Sequence, residues 1–174
     1  NDSGSAGMQG QDVEGVVIVG GGTAGWMAAA ALSRFLYNGR RQFHLVESDA
    51  IGTIGVGEAT IPPILNFNRM LDINENEFLR ETQGTIKLGI EFENWGRIGD
   101  RYLHPFGFFG QELHGIAFHQ LWLREYGRGD PGYISDYCMS AVAAASGRFG
   151  RPSQNTKPPV SGMLYAFHFD ASLY

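Results

Sequence analysis

The chain holds a single cysteine, Cys138, so no disulfide can form within it. That scarcity fits a reducing compartment, and a cytoplasmic protein is expected. No apolar run approaches the roughly 20 residues of a membrane-spanning helix, and no basic-then-apolar leader opens the chain. Positive charge is in deficit, with 13 Lys and Arg against 18 Asp and Glu and a net charge of -5. With no Lys/Arg cluster to offset that balance, neither nucleic acid nor an anionic membrane is an expected partner. The five histidines (44, 104, 114, 119 and 168) form no compact ligand set, so no metal is expected. His114 and His119, five apart, read as ordinary surface or core residues. No serine or cysteine is placed as a nucleophile, and no internal repeat is visible.

What is present is an ordinary globular composition, 43% hydrophobic and 18% charged over 174 residues, long enough for one domain with a sizeable core. Residues 1–12 are expected to be disordered or vector-derived: Asn1 to Gly7 reads NDSGSAG, with Met8 the native start. Residues 13–174 carry the fold.

Val13 to Gly20 contains VVIV, short, β-branched and apolar on both faces, as a buried parallel strand is. It runs into Gly20-Gly21-Gly22-Thr23-Ala24-Gly25, a G-x-G-x-x-G. An alanine-rich helix follows from Trp26 to about Tyr37, closed by Asn38-Gly39. A second strand, Gln42 to Glu47, ends on an acid. Strand, glycine turn, helix, strand and acid together form a dinucleotide fingerprint. The first glycine allows the tight turn, the second lets backbone approach the pyrophosphate, and the third lets helix and strand pack closely. Glu47 lies 22 residues after Gly25, the place for a carboxylate that binds ribose hydroxyls, which disfavours NADP relative to NAD or FAD.

Asp49 to Pro63, DAIGTIGVGEATIPP, has glycines at 52, 55 and 57 and reads as a loop, either a surface crossover or backbone laid against a ligand. Pro62 and Pro63 suit the first turn of a helix whose buried face would hold Ile61, Ile64, Leu65 and Met70 or Leu71. Asn74 with Glu77 resembles a capping box opening a short helix, Glu75 to Thr82.

Thr85 to Phe92, TIKLGIEF, alternates Ile86, Leu88, Ile90 and Phe92 with Thr85, Lys87, Gly89 and Glu91, the period of a half-buried strand. Lys87 falls mid-strand on the less apolar face. Gly89, two residues on, would let another molecule approach the lysine nitrogen. By periodicity alone Lys87 is a solvated lysine on an ordinary strand. Tyr102 to Phe109 is aromatic, proline-containing and expected to be an irregular wall. Helices are expected over Ile116 to Tyr126 and from a Ser135 cap to Ser146, then a loop from Arg148 to Pro159. Met163 to Phe169 alternates as a strand, and Asp170 reads as a helix cap.

GGGTAGWMAA (Gly20 to Ala29), GVGEATIP (Gly55 to Pro62) and the lysine of TIKLGIEFENW (Lys87) together resemble the flavin-dependent tryptophan halogenase family, from about Val16 onward. Trp26 and the GVGEATIP loop are the more specific signals. The resemblance implies an α/β fold: a Rossmann-like FAD-binding domain of the flavin monooxygenase type, incomplete in this chain, with residues 13–174 its N-terminal part. It implies FAD, delivered as FADH2 by a separate flavin reductase, and chloride or bromide oxidised with O2 to hypohalous acid. That acid reaches Lys87 beside an electron-rich arene, which Lys87 serves either as a hydrogen-bond donor or as a haloamine. Gly20, Gly22, Thr23, Ala24, Gly25 and Glu47 would bind the cofactor. Gly57, Glu58 and Ala59 would form a strap against the flavin, and His104 and Phe106, a His-x-Phe, would line the substrate. A segment between Lys87 and His104 shorter than in the tryptophan-specific enzymes leaves indole or another small aromatic open beside tryptophan. The family's Trp-x-Trp-x-Ile-Pro signature has no match among Trp26, Trp95 and Trp122, and these residues alone are expected to be inactive. A homodimer is a permitted assembly. Two other readings stay open: a flavin monooxygenase that hydroxylates an aromatic, and an inactive FAD-binding fragment.

Overall fold

The computed structural model describes residues 13–51, 57–153, 155 and 157–174. The expected disordered N-terminus at 1–12 and the loop glycines 52 and 55 lie outside the described residues. The described residues before 52 and those from 57 on form two compact units.

In the first unit, β1 (Gly15–Val19), α1 (Thr23–Leu36) and β2 (Gln42–Val46) make a parallel βαβ unit, with Gly15 opposite Gln42 and Val19 opposite Val46. The fingerprint turn and helix form where the sequence places them, with the helix starting three residues earlier, at Thr23. The Asn38 side chain then accepts from the amides of Arg40 and Arg41, turning the chain into β2. Among the described residues β1 is not covered on both faces as expected: Val16 and Ile18 are half-buried, whereas Val17 and Val19 are 61% and 84% exposed. Successive strand side chains point to opposite faces, and α1 packs against β1 and β2.

The second unit opens with β3 (Gly57–Ala59), then α2 (Pro63–Met70) and α3 (Glu75–Glu81). Gly57 to Ala59 is therefore a strand where a loop was expected. Pro63 occupies the first turn of α2 as predicted, but the buried face is Ile64 and Asn68, one turn apart. Ile61, expected inside, is 55% exposed, and of the alternatives Met70 and Leu71 it is Leu71 that is half-buried while Met70 is 55% exposed. Asn74 caps α3 by accepting from the amides of Asn76 and Glu77 at 3.0 and 3.1 Å.

The stretch TIKLGIEF is not one strand. It divides at Leu88 into β4 (Thr85–Lys87) and β5 (Gly89–Glu93), which belong to different sheets. β5 pairs antiparallel with β6 (Arg101–Pro105), so the expected irregular wall at Tyr102 to Pro105 is a strand. Arg101 donates from Nε and Nη2 to both carboxylate oxygens of Glu91 across this hairpin, and that guanidinium holds the Glu91 carboxyl below the usual carboxylate range. α4 (Phe118–Tyr126) follows as predicted. The helix expected from Ser135 to Ser146 is interrupted. A 3-10 turn, Ile134–Tyr137, precedes α5 (Met139–Ala145), because Cys138 is extended and bridges Phe109.

β7 (Ala166–Asp170) completes the second unit and is the central strand of a three-stranded antiparallel sheet ordered β3-β7-β4. One face of β7 carries Phe167 and Phe169, continued by Tyr165 just before the strand, all buried. Phe78 of α3 packs there, 5.0 Å from Phe167 and 5.1 Å from Phe169 between ring centroids, and Tyr174 closes the cluster 5.3 Å from Phe78. Asp170 caps the last turn, Ala171–Leu173, as expected.

Candidate functional site

The glycine turn is shaped by steric necessity. Gly20 has φ +121, a conformation that glycine adopts without strain. A Cβ on Gly25 would collide with the carbonyl of Gly20, so helix and strand approach this closely only with glycine there. Gly21, which the motif leaves unassigned, is the third tight point: a Cβ there would lie 2.5 Å from the Cβ of Glu47 and 2.8 Å from its carboxyl carbon. The Glu47 carboxylate is thus folded over the turn. Gly22 is the N-cap residue of α1, with no side-chain cap, and the first turn of the helix, which holds Thr23, Ala24 and Gly25, has no acidic residue. A helix N-terminus of this kind carries partial positive charge that favours an anion. A pyrophosphate at that N-terminus and a ribose hydroxyl at Glu47 fit these residues, so the turn suits FAD.

Lys87 ends β4 opposite Ala166. Residues opposed across an antiparallel pair share a face, so the lysine stem starts beside Ala166 on the face of β7 away from the aromatic cluster. From there Nζ reaches the carbonyl oxygen of Thr60 at 3.2 Å, and Thr60 lies on the far side of β7, where its amide donates to Phe167 at 2.9 Å. The lysine therefore crosses over Ala166, which is 0% exposed and small enough to let it pass. Nζ also stands 5.4 Å from the Phe106 ring centroid, within the range of a cation–π contact.

Phe106 is placed by its amide, which donates to the Leu88 carbonyl at 2.9 Å just past the end of β6. Gly107 then runs tight against α5, where a Cβ would stand 2.6 Å from the Ser140 hydroxyl. The structure thus brings Lys87 and Phe106 together across the junction of two sheets. His104 sits on β6 opposite Ile90 and is exposed. Gly89 does not open a path to the lysine nitrogen, as the alternation suggested. A Cβ there would lie 2.6 Å from the His104 carbonyl and 2.9 Å from the Pro105 Cα, so the space is filled by the partner strand.

The strap residues divide between two faces. Gly57 and Ala59 oppose Asp170 and His168, on the Lys87 face, whereas Glu58 opposes Phe169 on the aromatic side. Sequence reasoning missed Thr60, Ala166 and His168. For Ala166 and His168 the available signal was the alternation from Met163 to Phe169, which put them together on the less apolar face. Thr60 lay inside the GVGEATIP motif, but nothing there marked it, since its backbone carbonyl is what serves. Among the described residues no three His, Cys, Asp or Glu side chains gather as a metal-ligand set. Among them, too, no helix is long and apolar enough to cross a membrane.

The parallel βαβ turn and the mixed helix and strand content place the chain in the α/β class, with the Rossmann-like fold of FAD-binding proteins. The chain belongs to the tryptophan halogenase family, whose profile matches residues 15–174. The tryptophan 7-halogenase RebH of Lentzea aerocolonigenes is 34% identical over 177 aligned positions, covering 92% of this chain and 32% of that protein. Among solved structures, BrvH, a flavin-dependent halogenase from Brevundimonas sp. BAL3, superposes with a TM-score of 0.83 at 42% identity, over 93% of this chain and 32% of that one. A flavin-dependent halogenase from Xanthomonas campestris gives 0.81 at 49% identity, over 93% and 31%. The chain spans about a third of the length of these relatives.

Proposed function

We propose that these residues are the N-terminal part of an FADH2-dependent halogenase acting on an electron-rich arene such as tryptophan or indole, with Lys87 directing the electrophile. The observation that carries this reading is the placement of Lys87 Nζ, held 3.2 Å from the Thr60 carbonyl and 5.4 Å from the Phe106 ring. An ammonium has three donors, and Thr60 takes one, which leaves N–H groups for an incoming oxygen beside an aromatic wall. Bound FADH2 would supply two electrons to O2, and the oxidising equivalents of O2 would turn chloride or bromide into hypohalous acid.

The chain's own residues then do the rest. Gly20, Gly22, Thr23, Ala24 and Gly25 hold the pyrophosphate, Glu47 takes the ribose hydroxyls, and Gly57, Glu58 and Ala59 border the flavin. Lys87 donates to the oxygen of hypohalous acid and polarises the oxygen–halogen bond. The ring carbon takes the halogen while the hydroxyl takes a proton from Lys87 and leaves as water, and the ring proton then returns to the Lys87 amine. Phe106 and His104 hold the arene, and exclusion of water keeps the oxidant from being lost. FADH2 arrives by diffusion from a separate flavin reductase in the cytoplasm. Halogenation belongs to a chain of the relatives' full length, as a monomer or homodimer, and residues 13–174 alone neither halogenate nor bind FAD tightly.

The test is Lys87→Ala in a full-length chain supplied with a reductase, bromide and an indole panel. Halogenated product is expected to fall at least about a hundredfold while FADH2 oxidation continues. A variant that still halogenates at the native rate refutes the role of Lys87. A hydroxylated product formed equally well by both proteins supports the monooxygenase reading instead.

A further inference from the structure

β7 brings a second polar side chain to the face that Lys87 occupies. Its alternation puts Ala166, His168 and Asp170 on the side away from Phe167 and Phe169. His168 is opposed on both flanks, by Ala59 of β3 and by Thr85 of β4, and both neighbours are small. The ring is solvent-exposed and, among the described residues, its nitrogens take no hydrogen bond. It stands two residues along β7 from Ala166, the residue Lys87 crosses, a separation of about 7 Å.

The direction of the ring is set by a glycine. A Cβ on Gly57 would lie 2.8 Å from His168 Nε2 and 3.3 Å from Cδ2, so the imidazole leans over β3 into space that only the missing side chain leaves open. One sheet face therefore presents, in order, the strap glycine, an imidazole with both nitrogens available, a small residue, and Lys87.

We propose that His168 is a transit residue that hydrogen-bonds hypohalous acid between the strap and Lys87. The inference rests on the halogenase reading above and adds a residue to it. The imidazole accepts the O–H of hypohalous acid at one nitrogen or donates to its oxygen at the other. The oxidant then leaves the strap already bound and meets Lys87 on the same face. No covalent bond is made or broken at His168; its effect is on where the oxidant goes.

The experiment compares His168→Leu, which keeps much of the ring's volume without its hydrogen bonds, with His168→Gln, which keeps a donor and an acceptor. Both are made in a full-length chain with reductase, bromide, an indole substrate and a water-soluble scavenger of hypohalous acid. For His168→Leu, arene product per FADH2 consumed is expected to fall about three- to tenfold, the loss of one net hydrogen bond, and scavenged oxidant to rise correspondingly. KM for the arene is expected to hold, and His168→Gln to recover most of the yield. If His168→Leu fails to fold by circular dichroism, His168→Ala takes its place. Unchanged yield in the folded variant overturns the proposal, as does a yield lost solely through weaker flavin binding. A native protein that makes no halogenated product overturns the halogenase reading itself, and a native protein that does so beside an unaffected variant overturns only the role of His168.

Discussion

Ala166→Val is the most discriminating stability test of the Lys87 geometry, because valine is the better strand former. By intrinsic preference the substitution favours β7 by up to about 1 kcal/mol. The structure predicts the opposite sign. Ala166 is 0% exposed and lies under the stem of Lys87 on its way to the Thr60 carbonyl. Two added methyl groups meet that stem, and overpacking of this kind costs about 1–3 kcal/mol. Displacing Nζ from Thr60 adds the loss of a partly solvated hydrogen bond, about 1 kcal/mol after screening. The net expectation is a destabilisation of about 2 kcal/mol, which for a chain of this size lowers Tm by roughly 4–8 °C. Thermal unfolding measures that sum. Lys87 and Lys157 are the only two lysines, so reductive methylation with labelled formaldehyde gives two lysine signals beside that of the α-amine, and the Lys87 signal alone is expected to move. A valine variant that is as stable as the parent, with the Lys87 signal unmoved, refutes the crossing.

Two further outcomes follow from the same geometry. Gly89→Ala puts a Cβ against the backbone of His104 and Pro105; backbone atoms cannot swing aside, so β5 and β6 separate locally, and the urea midpoint is expected to drop by the equivalent of about 2–3 kcal/mol. Burial pushes the Tyr174 phenol up to about 12, against about 10 in an unfolded chain. Between those values the folded state keeps a proton the unfolded state has lost, so stability is full below pH 10 and falls as pH rises toward 12. The full shift corresponds to about 2.7 kcal/mol, and half-exposure reduces it to about 1 kcal/mol. Tyr174→Phe is expected to flatten that part of the alkaline slope while losing the hydrogen bond to Asn68 at 2.8 Å.

Local rules carried much of the fold into the sequence. The βαβ turn, the Asn74 cap and the alternation before Asp170 are all set by neighbours within a few residues, and each formed where its chemistry put it. The failures share a cause in distant pairing. Nothing within TIKLGIEF marks Leu88 as a break, because the alternation runs through it unbroken. The break arises because β4 and β5 find different partners, β7 and β6. Tyr102 to Pro105 looked unsuited to regular structure, yet all four residues pair in register with β5. At the candidate site the same division holds. Lys87 and Phe106 were legible through the family motifs, whereas Ala166 and His168 join them only by register. Thr60 contributes a backbone oxygen, which no residue identity announces.

The placement of β7 between β3 and β4 also bears on how the protein is made. Thr60 and its partner Phe167 are 107 residues apart, so during synthesis β3 and β4 leave the ribosome long before the strand that joins them. Until then they are two short segments with unpaired backbone edges and a hydrophobic face awaiting cover. Closure across so much chain is an entropically late event, which makes the lysine's sheet the part of this unit most exposed to aggregation in a nascent chain.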